Sequence, residues 1–478
     1  MTSDLVRSVL VRDRCLVGGA WVEADDGRRF AVRDPASGAE VGSVPDLGAA
    51  DVRRAVDAAE RAQRSWAAVP APDRADVLRR WFDLITDETE DLAGILTSEQ
   101  GKPLAEARGE IRYAASYVRF YAEEARRIAG EVLPAPVADT RIVVLRQPVG
   151  VVAAITPWNF PAAMVTRKVA PALAAGCAVV LKPAGQTPLT ALALGALAQR
   201  AGLPDGLLNV VTGDARTIGG VLCGHPVVRG LSFTGSTEVG RTIAAQCAPT
   251  VKKVALELGG NAPFLVFDDA DLDAAVAGAV FAKFRNAGQT CICANRFLVQ
   301  EGVYDEFVQR FGAAVSGLRV GHGLDQGVDV GPLIDGAALG KVREHVADAL
   351  GRGARLVLGG PPGERGLAEP FYPPTVLGDA DRRCSWRGRR RSAPSRRCSA
   401  SGTRTRRSRW PTTPSTASAP TSTRATSAGC GGSRRRWRPA WWASTPACSP
   451  PSWPRSAGSS SRASAARARG TAWTSTWN

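Results

Sequence analysis

The sequence predicts an α/β protein built on a parallel sheet that helices cover on both faces. Between about residues 142 and 261, short apolar runs alternate with helix-like segments, as in CAVVLKPAGQTP followed by LTALALGALAQRAG. Continuous apolar strands are typical of parallel sheets, because both of their faces are buried. Residues 262–380 repeat this rhythm, so they predict a second α/β domain.

The residues before this series predict strands and then helices. The stretch RCLVGGAWVEADDGRRFAVRDPASGAEVGSVP alternates apolar and polar residues between Gly, Asp and Pro, which is typical of short antiparallel strands. From Asp51 to about Ile128, apolar residues recur at i, i+3 and i+4, which indicates helices. Pro72 and Asp73 fit the start of one of them.

The charge of the chain changes sharply at about residue 381. The whole chain has a formal net charge of +16, which is typical of proteins that bind nucleic acid or anionic membranes. Residues 382–478 contain 21 of the 61 Lys+Arg and none of the 45 Asp+Glu, which leaves residues 1–381 with 40 basic residues. The body is therefore slightly acidic and predicts neither a nucleic-acid nor a membrane partner.

Cysteine usage and the N-terminal residues predict a cytoplasmic protein without a metal site. Apart from Cys291 and Cys293, the cysteines before residue 382 are scattered, and no CxxC pair indicates zinc. The first residues, MTSDLVRSVLVRDRC, lack the apolar run of a signal peptide. No run of about 18 apolar residues predicts a membrane span.

Polar residues lie at or after the ends of several predicted strands. Ligands of such sheets bind beyond the carboxyl ends of the strands, so a site is expected near Trp158, Lys182, Ser236 and Glu257. In FTGSTEVG, the backbone N–H groups of a Gly-rich strand-to-helix turn suit a phosphate, although the spacing is not GxGxxG.

Cys291 and Glu257 are the candidate reactive residues. In FRNAGQTCICANR, Cys291 follows a Gly-Gln-Thr turn, and dipoles or cations there would favour a thiolate nucleophile. A buried structural cysteine fits the same pattern. Glu257 ends an apolar strand in LELGGN, where partial desolvation suits a general base. A helix-capping or ion-paired glutamate is the alternative.

Five motifs in a fixed order give a closer identification. They are PWNFP, LKPAGQTP, FTGSTEVG, LELGGN and GQTC, and from about Cys15 to Asp381 the sequence resembles the NAD(P)-dependent aldehyde dehydrogenases. The segments AMVTRKVAPALAAGC and KFRNAGQTCICANRFLVQ make it most similar to the succinate-semialdehyde dehydrogenases. The resemblance implies an aldehyde dehydrogenase-like fold, with a Rossmann-type cofactor domain and an α/β catalytic domain.

The resemblance also implies domain boundaries. The NAD(P)-binding domain would comprise residues 1–125 and 149–258, and residues 126–148 would form a bridging and oligomerisation segment. Residues 259–381 would form a truncated catalytic domain, followed by the tail. A homo-oligomer is expected for the family, but the tail lacks the C-terminal strand that the family uses for assembly.

The reaction that the resemblance implies is oxidation of an aldehyde to a carboxylate by NAD(P)⁺. Cys291 resembles the nucleophile that forms a thiohemiacetal and then a thioester. The Asn159 amide and the Cys291 N–H would hold the oxyanion as preorganised donors. Glu257 would activate the water that hydrolyses the thioester, and Lys168 would help relay its proton.

The expected cofactor is NADP or NAD. Lys182 resembles the cofactor-ribose contact, and Ser236 resembles the pyrophosphate contact at a helix N-terminus. Gly185 stands where many NAD-preferring relatives have Glu, and loss of that carboxylate removes repulsion against a 2′-phosphate. This favours acceptance of NADP⁺. Four further positions match the cofactor site of the family: Thr156, Trp158, Gly235 and Gly240.

Two arginines suggest the substrate class. Arg167 and Arg285 match positions that bind the distal carboxylate in the semialdehyde members of the family. A guanidinium group suits a carboxylate through paired hydrogen bonds. The alternative is that each is a surface or ion-paired arginine. Succinate semialdehyde is the expected substrate, with glutarate semialdehyde close behind.

Cys293 raises a redox hypothesis, because it lies two residues after the predicted nucleophile. A Cys291–Cys293 disulfide would silence the nucleophile under oxidation. Unchanged inactivation by peroxide in a Cys293→Ala variant would count against this hypothesis.

The tail is expected to be the family's C-terminus in a shifted reading frame. The family continues with EExFGP, whose Glu binds the nicotinamide ribose, and later with PFGG, and neither motif occurs here. Read one nucleotide out of frame, Ser385–Ser395 can encode LVAREETFGPV, and later segments can encode LEAGMVGVNTGL, PFGGVKQSG and YGLDEYLE. A shift between about Ala380 and Cys384 would explain all four. As written, residues 382–478 lack aliphatic side chains and are expected to be disordered.

Three other functions stay open from the sequence. The protein could be an aldehyde dehydrogenase of another specificity, or a catalytically dead pseudoenzyme that binds cofactor through residues 142–257. The third is a basic nucleic-acid-binding protein, which would use the arginines and tryptophans of the tail.

Overall fold

The computed structural model describes residues 10–360 and 369–380, and the backbone alone of residues 395–401 and 421–423. These residues form two compact units. The first contains residues 10–258 and 322–326, and the second contains the remaining described residues. The predicted domain boundaries stay a prediction.

The first unit contains eight α-helices and eleven strands among the described residues. The helices are α1 (Ala49–Ala68), α2 (Ala71–Asp87), α3 (Thr89–Gln100), α4 (Leu104–Ala125), α5 (Ala163–Ala174), α6 (Leu189–Arg200), α7 (Ala215–Gly224) and α8 (Thr237–Cys247). The strands are β1 (Cys15–Val17), β2 (Ala20–Val22), β3 (Arg29–Arg33), β4 (Glu40–Pro45), β5 (Glu131–Pro134), β6 (Arg141–Val144), β7 (Val151–Ile155), β8 (Ala178–Lys182), β9 (Leu208–Val210), β10 (Val228–Thr234) and β11 (Lys253–Glu257).

The central sheet of the first unit has the order β11-β10-β7-β8-β9-β1-β2. Strands β7 to β11 are parallel to their neighbours in that group, and β1 pairs antiparallel with β2 and β9. Because β7 pairs with β8 on one side and with β10 on the other, the strand order reverses there. Doubly wound sheets bind ligands beyond the carboxyl ends of their strands at such a switch point.

The apolar runs explain why these strands form the core. All five residues of β8 are buried, including Val179, Val180 and Leu181. Burial of a large aliphatic side chain stabilises the fold by roughly 1.5–3 kcal/mol. The prediction of a parallel sheet with helices on both faces is therefore confirmed.

The N-terminal part also has the predicted elements. Strands β3 and β4 pair antiparallel, and four helices follow from Ala49 to Ala125. Pro72 lies in the first turn of α2, where its missing N–H leaves no hydrogen bond unmade. The Asp51 carboxylate accepts a hydrogen bond from the Gly48 N–H at 2.8 Å and closes the start of α1.

The parallel series begins at Val151 and not at residue 142. Residues 141–144 instead form β6, which pairs antiparallel with β5 in a separate two-stranded hairpin. This hairpin leaves large apolar side chains in solvent, with Val132 69% and Leu145 73% exposed. It lies within residues 126–148, the segment predicted to bridge and to oligomerise.

The second unit is built on a six-stranded sheet. Its helices are α9 (Leu272–Phe284), α10 (Tyr304–Ser316) and α11 (Gly336–Gly351). Its strands are β12 (Ala262–Val266), β13 (Ala294–Gln300), β14 (Arg355–Leu358), β15 (Thr375–Gly378), β16 (Ser395–Ser401) and β17 (Thr421–Thr423). The sheet has the order β14-β15-β16-β13-β12-β17. Its core includes the aromatic residues Phe264, Phe297, Phe307 and Phe311. The expectation of a second α/β domain is met.

Most of the tail from residue 382 lies outside the described residues. The prediction of disorder for that segment therefore falls mostly on residues that the structure does not describe. The exceptions are β16 and β17, whose backbones pair with the sheet of the second unit. Among the described residues, no helix is long and apolar enough to cross a membrane.

Candidate active site

Four strand ends bring most of the predicted site residues of the first unit to one edge of its sheet. Thr156 follows β7, Lys182 ends β8, Gly235 follows β10 and Glu257 ends β11. The strand register aligns Ile155 with Lys182, and Thr234 with Glu257. Because these strands are parallel, all four ends point the same way. The parallel register therefore gathers residues that are up to 101 positions apart in the sequence.

Asn159 lies in the turn between β7 and α5, in the motif PWNFP. The residue is only 5% exposed, and its backbone carbonyl oxygen accepts a hydrogen bond from Lys102 Nζ at 2.9 Å. Trp158, the residue before it, is half-buried. The turn therefore holds a side-chain amide in a desolvated place, which is what an oxyanion donor requires.

Lys168 is buried on α5, and its pKa lies well below the usual value of a lysine. Its Nζ donates a hydrogen bond to Ser232 Oγ at 2.7 Å. Burial lowers the pKa of Lys168 to about 7, and the Arg167 charge lowers it further, while the negative charge of Glu257 opposes both. A lysine that is partly neutral near pH 7 can accept and release a proton, as its predicted relay role requires.

Glu257 is half-buried at the end of β11. Its carbonyl oxygen accepts a hydrogen bond from the Gly235 N–H at 3.0 Å, which fixes the backbone beside its side chain. The electrostatic interaction with Lys168 places the two side chains in the same neighbourhood. The first unit therefore brings together the predicted general base and the predicted proton relay.

Lys182 and Thr156 provide polar groups that suit a nucleotide. Lys182 Nζ donates to the Pro183 carbonyl oxygen at 2.9 Å, and burial lowers the pKa of Lys182 to about 8. The buried Thr156 hydroxyl has no hydrogen-bond partner within the described residues. Buried polar groups of this kind are normally satisfied, so this hydroxyl is available to a ligand.

The turn from β10 to α8 provides a helix N-terminus for a phosphate. Ser236 is the N-cap of α8, and its hydroxyl accepts a hydrogen bond from the Val239 N–H at 3.3 Å. A Cβ at Gly235 would lie 2.3 Å from the Phe233 ring, and a Cβ at Gly240 would lie 2.5 Å from Leu258. At both positions a Cβ would force the neighbouring side chain to move, so the packing favours glycine.

Gly185 lies in the loop after β8 and is half-buried. A Cβ there would meet Phe30 at 3.8 Å, an ordinary van der Waals distance. The position therefore has room for a side chain. The packing would allow a residue with a carboxylate here, but the sequence has glycine. Together with Lys182, Thr156 and the start of α8, this loop fits a dinucleotide cofactor.

Arg167 is half-buried on α5, one residue before Lys168. Its guanidinium lies 5.4 Å from the centroid of the Tyr117 ring, a distance typical of a cation–π contact. Its Nη1 also donates to Met164 Sδ at 3.9 Å. The aromatic face and the thioether hold the guanidinium in place, as recognition of a carboxylate requires.

The second unit carries Arg285, Cys291 and Cys293 on the loop that follows α9. Arg285 is half-buried, and the backbone then turns sharply, with φ of 53° at Asn286 and 52° at Ala287. Such values are costly for residues other than glycine and are typical of functional loops. Cys291, at the end of this loop, is half-buried.

Gln289 fixes this loop, although no role was predicted for this residue from the sequence. Its Oε1 accepts a hydrogen bond from the Ile334 N–H at 3.0 Å, and its Nε2 donates to the Asn286 carbonyl oxygen at 3.3 Å. The motif GQTC contained the signal, because a buried amide side chain needs partners and fixes the backbone that provides them.

Cys293 has different surroundings from Cys291. Its Sγ is buried, accepts a hydrogen bond from the Thr290 hydroxyl at 2.8 Å and donates to the carbonyl oxygens of Gly288 at 3.3 Å and Lys283 at 3.4 Å. Its thiol therefore stabilises the loop in the reduced protein. The hypothesis of a Cys291–Cys293 disulfide stays a prediction.

A doubly wound domain with these polar groups at its switch point is typical of nucleotide-binding enzymes. The sequence profile of the aldehyde dehydrogenase family matches residues 21–385. The chain belongs to the aldehyde dehydrogenase family. The prediction of an α/β enzyme that oxidises aldehydes with NAD(P)⁺ is thereby confirmed.

Several relatives are similar over most of their length. The chain is 58% identical over 370 residues to the glutarate-semialdehyde dehydrogenase of Pseudomonas aeruginosa, covering 77% of this chain and 76% of the relative. It is also 58% identical over 372 residues to the succinate-semialdehyde dehydrogenase [NADP(+)] GabD of Escherichia coli, covering 78% and 77%. The crystal structure of succinate-semialdehyde dehydrogenase from Burkholderia pseudomallei is 54% identical, with a TM-score of 0.82, covering 83% and 82%.

Proposed function

We propose that the protein oxidises a short aldehyde with a distal carboxylate, most simply succinate semialdehyde, to the corresponding diacid. The observation that carries this proposal is Arg167, a half-buried guanidinium held over Tyr117 beside Lys168. Two relatives at 58% identity are named for semialdehydes that carry such a carboxylate. Glutarate semialdehyde is the second candidate, because one of these relatives is named for it.

The proposed chemistry begins at Cys291. Its thiolate attacks the aldehyde carbon, an S–C bond forms, and the carbonyl electron pair moves to oxygen. The Asn159 amide and the Cys291 N–H donate to this oxyanion. Bound NAD(P)⁺ supplies the hydride acceptor. When the oxyanion collapses with loss of hydride, Cys291 carries a thioester.

Glu257 and Lys168 serve the second half of the proposed reaction. Glu257 takes a proton from water, the water oxygen bonds to the thioester carbon, and the C–S bond breaks to release the Cys291 thiolate and the carboxylic acid, which then loses its proton to solvent. When the Lys168 amine is neutral, it accepts the proton that Glu257 takes from water. Its burial supports the role, because burial brings its pKa to about 7.

The substrate proposal predicts a selective loss in an Arg167→Gln variant. We expect kcat/KM for succinate semialdehyde to fall by about 100-fold, because a charge-assisted bidentate contact is lost. Oxidation of butanal, which has no carboxylate, should change by less than about threefold. Steady-state kinetics with both aldehydes measures this. Arg285→Gln should behave similarly.

The control for this experiment is Arg200→Gln. Arg200 is an exposed arginine at the end of α6, and it pairs with Glu88 at 2.8 Å. Its loss should leave both substrates unaffected. Equal losses with succinate semialdehyde and butanal in Arg167→Gln would show that the arginine is structural and that the substrate class is wrong.

We propose that NADP⁺ is accepted and preferred to NAD⁺. Gly185 puts no carboxylate beside the adenosine ribose, and the Lys182 ammonium would attract a phosphate. Its pKa of about 8 means that the ammonium form dominates at neutral pH. The ratio of kcat/KM for the two cofactors decides the preference, and a ratio that favours NAD⁺ would reverse it.

The Lys168 proposal predicts a rise of thioester hydrolysis through pH 7. Only neutral Lys168 accepts a proton, and a pKa of about 7 makes the neutral form dominant above that pH. In pre-steady-state kinetics, acylation gives a burst of reduced cofactor. The slower rate after this burst measures thioester hydrolysis separately from acylation. Lys168→Met should lose the rising limb and hydrolyse about 10- to 100-fold more slowly. The same rising limb in Lys168→Met would assign the titration to another group.

The cytoplasmic location and the homo-oligomeric state stay proposals. The exposed apolar side chains of the β5–β6 hairpin support assembly, since exposed patches of this kind often mark interfaces.

A frameshift upstream of residue 385 is likewise proposed. A chain translated as written would then lack the ribose-binding glutamate, and it would be a cofactor-binding pseudoenzyme if it is inactive.

A further inference from the structure

A buried ion pair lies beside the turn that carries Asn159. Lys102 lies in the connection between α3 and α4, Glu110 is in α4, and the side chain of each is 1% exposed. Lys102 Nζ lies 2.5 Å from Glu110 Oε2. Burial of two charges is costly unless further polar partners surround them. The identity of those partners therefore indicates what the pair holds in place.

Lys102 holds the backbone of the turn. Its Nζ donates to the Asn159 carbonyl oxygen at 2.9 Å. The same ammonium lies 4.1 Å from the centroid of the Phe160 ring, the next residue of the turn. A hydrogen bond and a cation–π contact thus fix two consecutive residues of PWNFP from one charged group.

Glu110 holds the start of α5, just after the turn. Its Oε1 accepts hydrogen bonds from the Ala162 N–H at 2.9 Å and the Ala163 N–H at 3.2 Å. A carboxylate is favourable at this end of a helix, because it satisfies N–H groups that the helix leaves open. The pair of Lys102 and Glu110 therefore fixes the chain on both sides of the turn.

We propose that Lys102 and Glu110 are positioning residues that act on the reaction through the Asn159 amide. The inference rests on the proposed oxyanion role of Asn159. A donor stabilises an oxyanion only if its position is fixed before the charge develops. The pair fixes the backbone from which this amide projects, although neither of its residues contributes a group to the oxyanion.

Glu99 provides a matched comparison in the same unit. It is a fully buried carboxylate on α3 that accepts hydrogen bonds from the Leu189 N–H at 2.7 Å and the Thr190 N–H at 2.9 Å. It therefore caps a helix as Glu110 does, although no ion pair accompanies it within the described residues, and the helix it caps, α6, carries none of the predicted site residues. A purely structural role predicts the same kinetic result for both carboxylates.

The test uses the full chain in the restored reading frame and removes both charges, Lys102→Met/Glu110→Gln, so that no unpaired charge is left buried. We expect kcat to fall about 30- to 100-fold, because a donor displaced by about 1 Å loses that much. The KM for succinate semialdehyde and the cofactor Kd should change by less than about threefold. Glu99→Gln should lower the melting temperature and leave kcat within about threefold.

Non-additivity shows whether the pair acts through Asn159. Asn159→Ala alone should lower kcat by about 10²- to 10³-fold. Adding Lys102→Met/Glu110→Gln to Asn159→Ala should cause less than about a threefold further loss. If the two losses instead multiply, the pair acts independently of the amide and the proposal is wrong.

Hydrogen exchange tests the positioning without any turnover. In Lys102→Met/Glu110→Gln, the amides of Asn159, Phe160, Ala162 and Ala163 should exchange at least about tenfold faster, while Glu99→Gln should leave them unchanged. A frame-restored chain without turnover would refute the proposed function, and this exchange experiment would still decide the positioning. Unchanged exchange at 159–163 in the double variant would overturn the inference.

Discussion

Replacing Cys291 with alanine in the frame-restored chain should abolish aldehyde oxidation. The thiol is the atom that bonds to the substrate in the proposed reaction, and neighbouring groups cannot replace a missing nucleophile. We expect kcat/KM to fall by at least about 10⁴-fold, equivalent to roughly 5.5 kcal/mol of transition-state stabilisation. Steady-state kinetics measures the loss, and cofactor binding by fluorescence should be unchanged, because it depends on the first unit.

Thiol labelling gives an independent measurement of the same residue. Of the six cysteines in the described part of the chain, Cys291 is half-buried and the others are buried. Among these six, limited alkylation should therefore modify Cys291 first, and the modified fraction should equal the lost fraction of activity. Cys177→Ala, which removes a buried thiol of the first unit, is the control and should keep both activity and labelling. More than about 1% of wild-type activity in Cys291→Ala would contradict a covalent mechanism.

Much of the first unit was predictable because its signals are local. The apolar run of β8, the Pro72 start of α2 and the strand-to-helix turn at Ser236 each follow from a few neighbouring residues. The rule that parallel strands bring their carboxyl ends together then places Lys182 and Glu257 at one edge. The predicted start of the series at residue 142 was wrong, because apolar residues of a solvent-exposed hairpin resemble a short core strand.

The remaining features depend on long-range packing. Nothing near Lys102 in the sequence indicates that its ammonium contacts the carbonyl of Asn159, 57 positions later. The burial of Cys293 beside the half-buried Cys291 is equally invisible, because the two residues are identical and only two positions apart in the sequence. Local patterns fix strands and turns, but the partners of a buried charge become known only when the whole fold is available.

The position of β16 gives a physical argument about the reading frame. Its backbone pairs in parallel with β13 on one side and with β15 on the other, so it is an interior strand of the sheet. Its sequence is SRRCSAS, with two arginines and no large aliphatic residue. Parallel strands that are covered on both faces are normally apolar. This composition is unusual for an interior parallel strand, which is consistent with the proposed frameshift.

Restoring the frame at about codon 382 should convert an inactive chain into an active enzyme. The shifted frame encodes LVAREETFGPV in place of Ser385–Ser395, and this contains the EExFGP glutamate that the family uses at the nicotinamide ribose. We expect turnover of the chain as written to be at least about 10³-fold below that of the restored chain. Its melting temperature should be lower than that of the restored chain by roughly 5 °C or more, because residues 382–478 as written lack the aliphatic side chains of a core. Sequencing of the gene and assay of both purified chains measure this. A clean read of the present frame, together with an active and stable protein of the present sequence, would show that residues 382–478 are a genuine C-terminus and that another group replaces the missing glutamate.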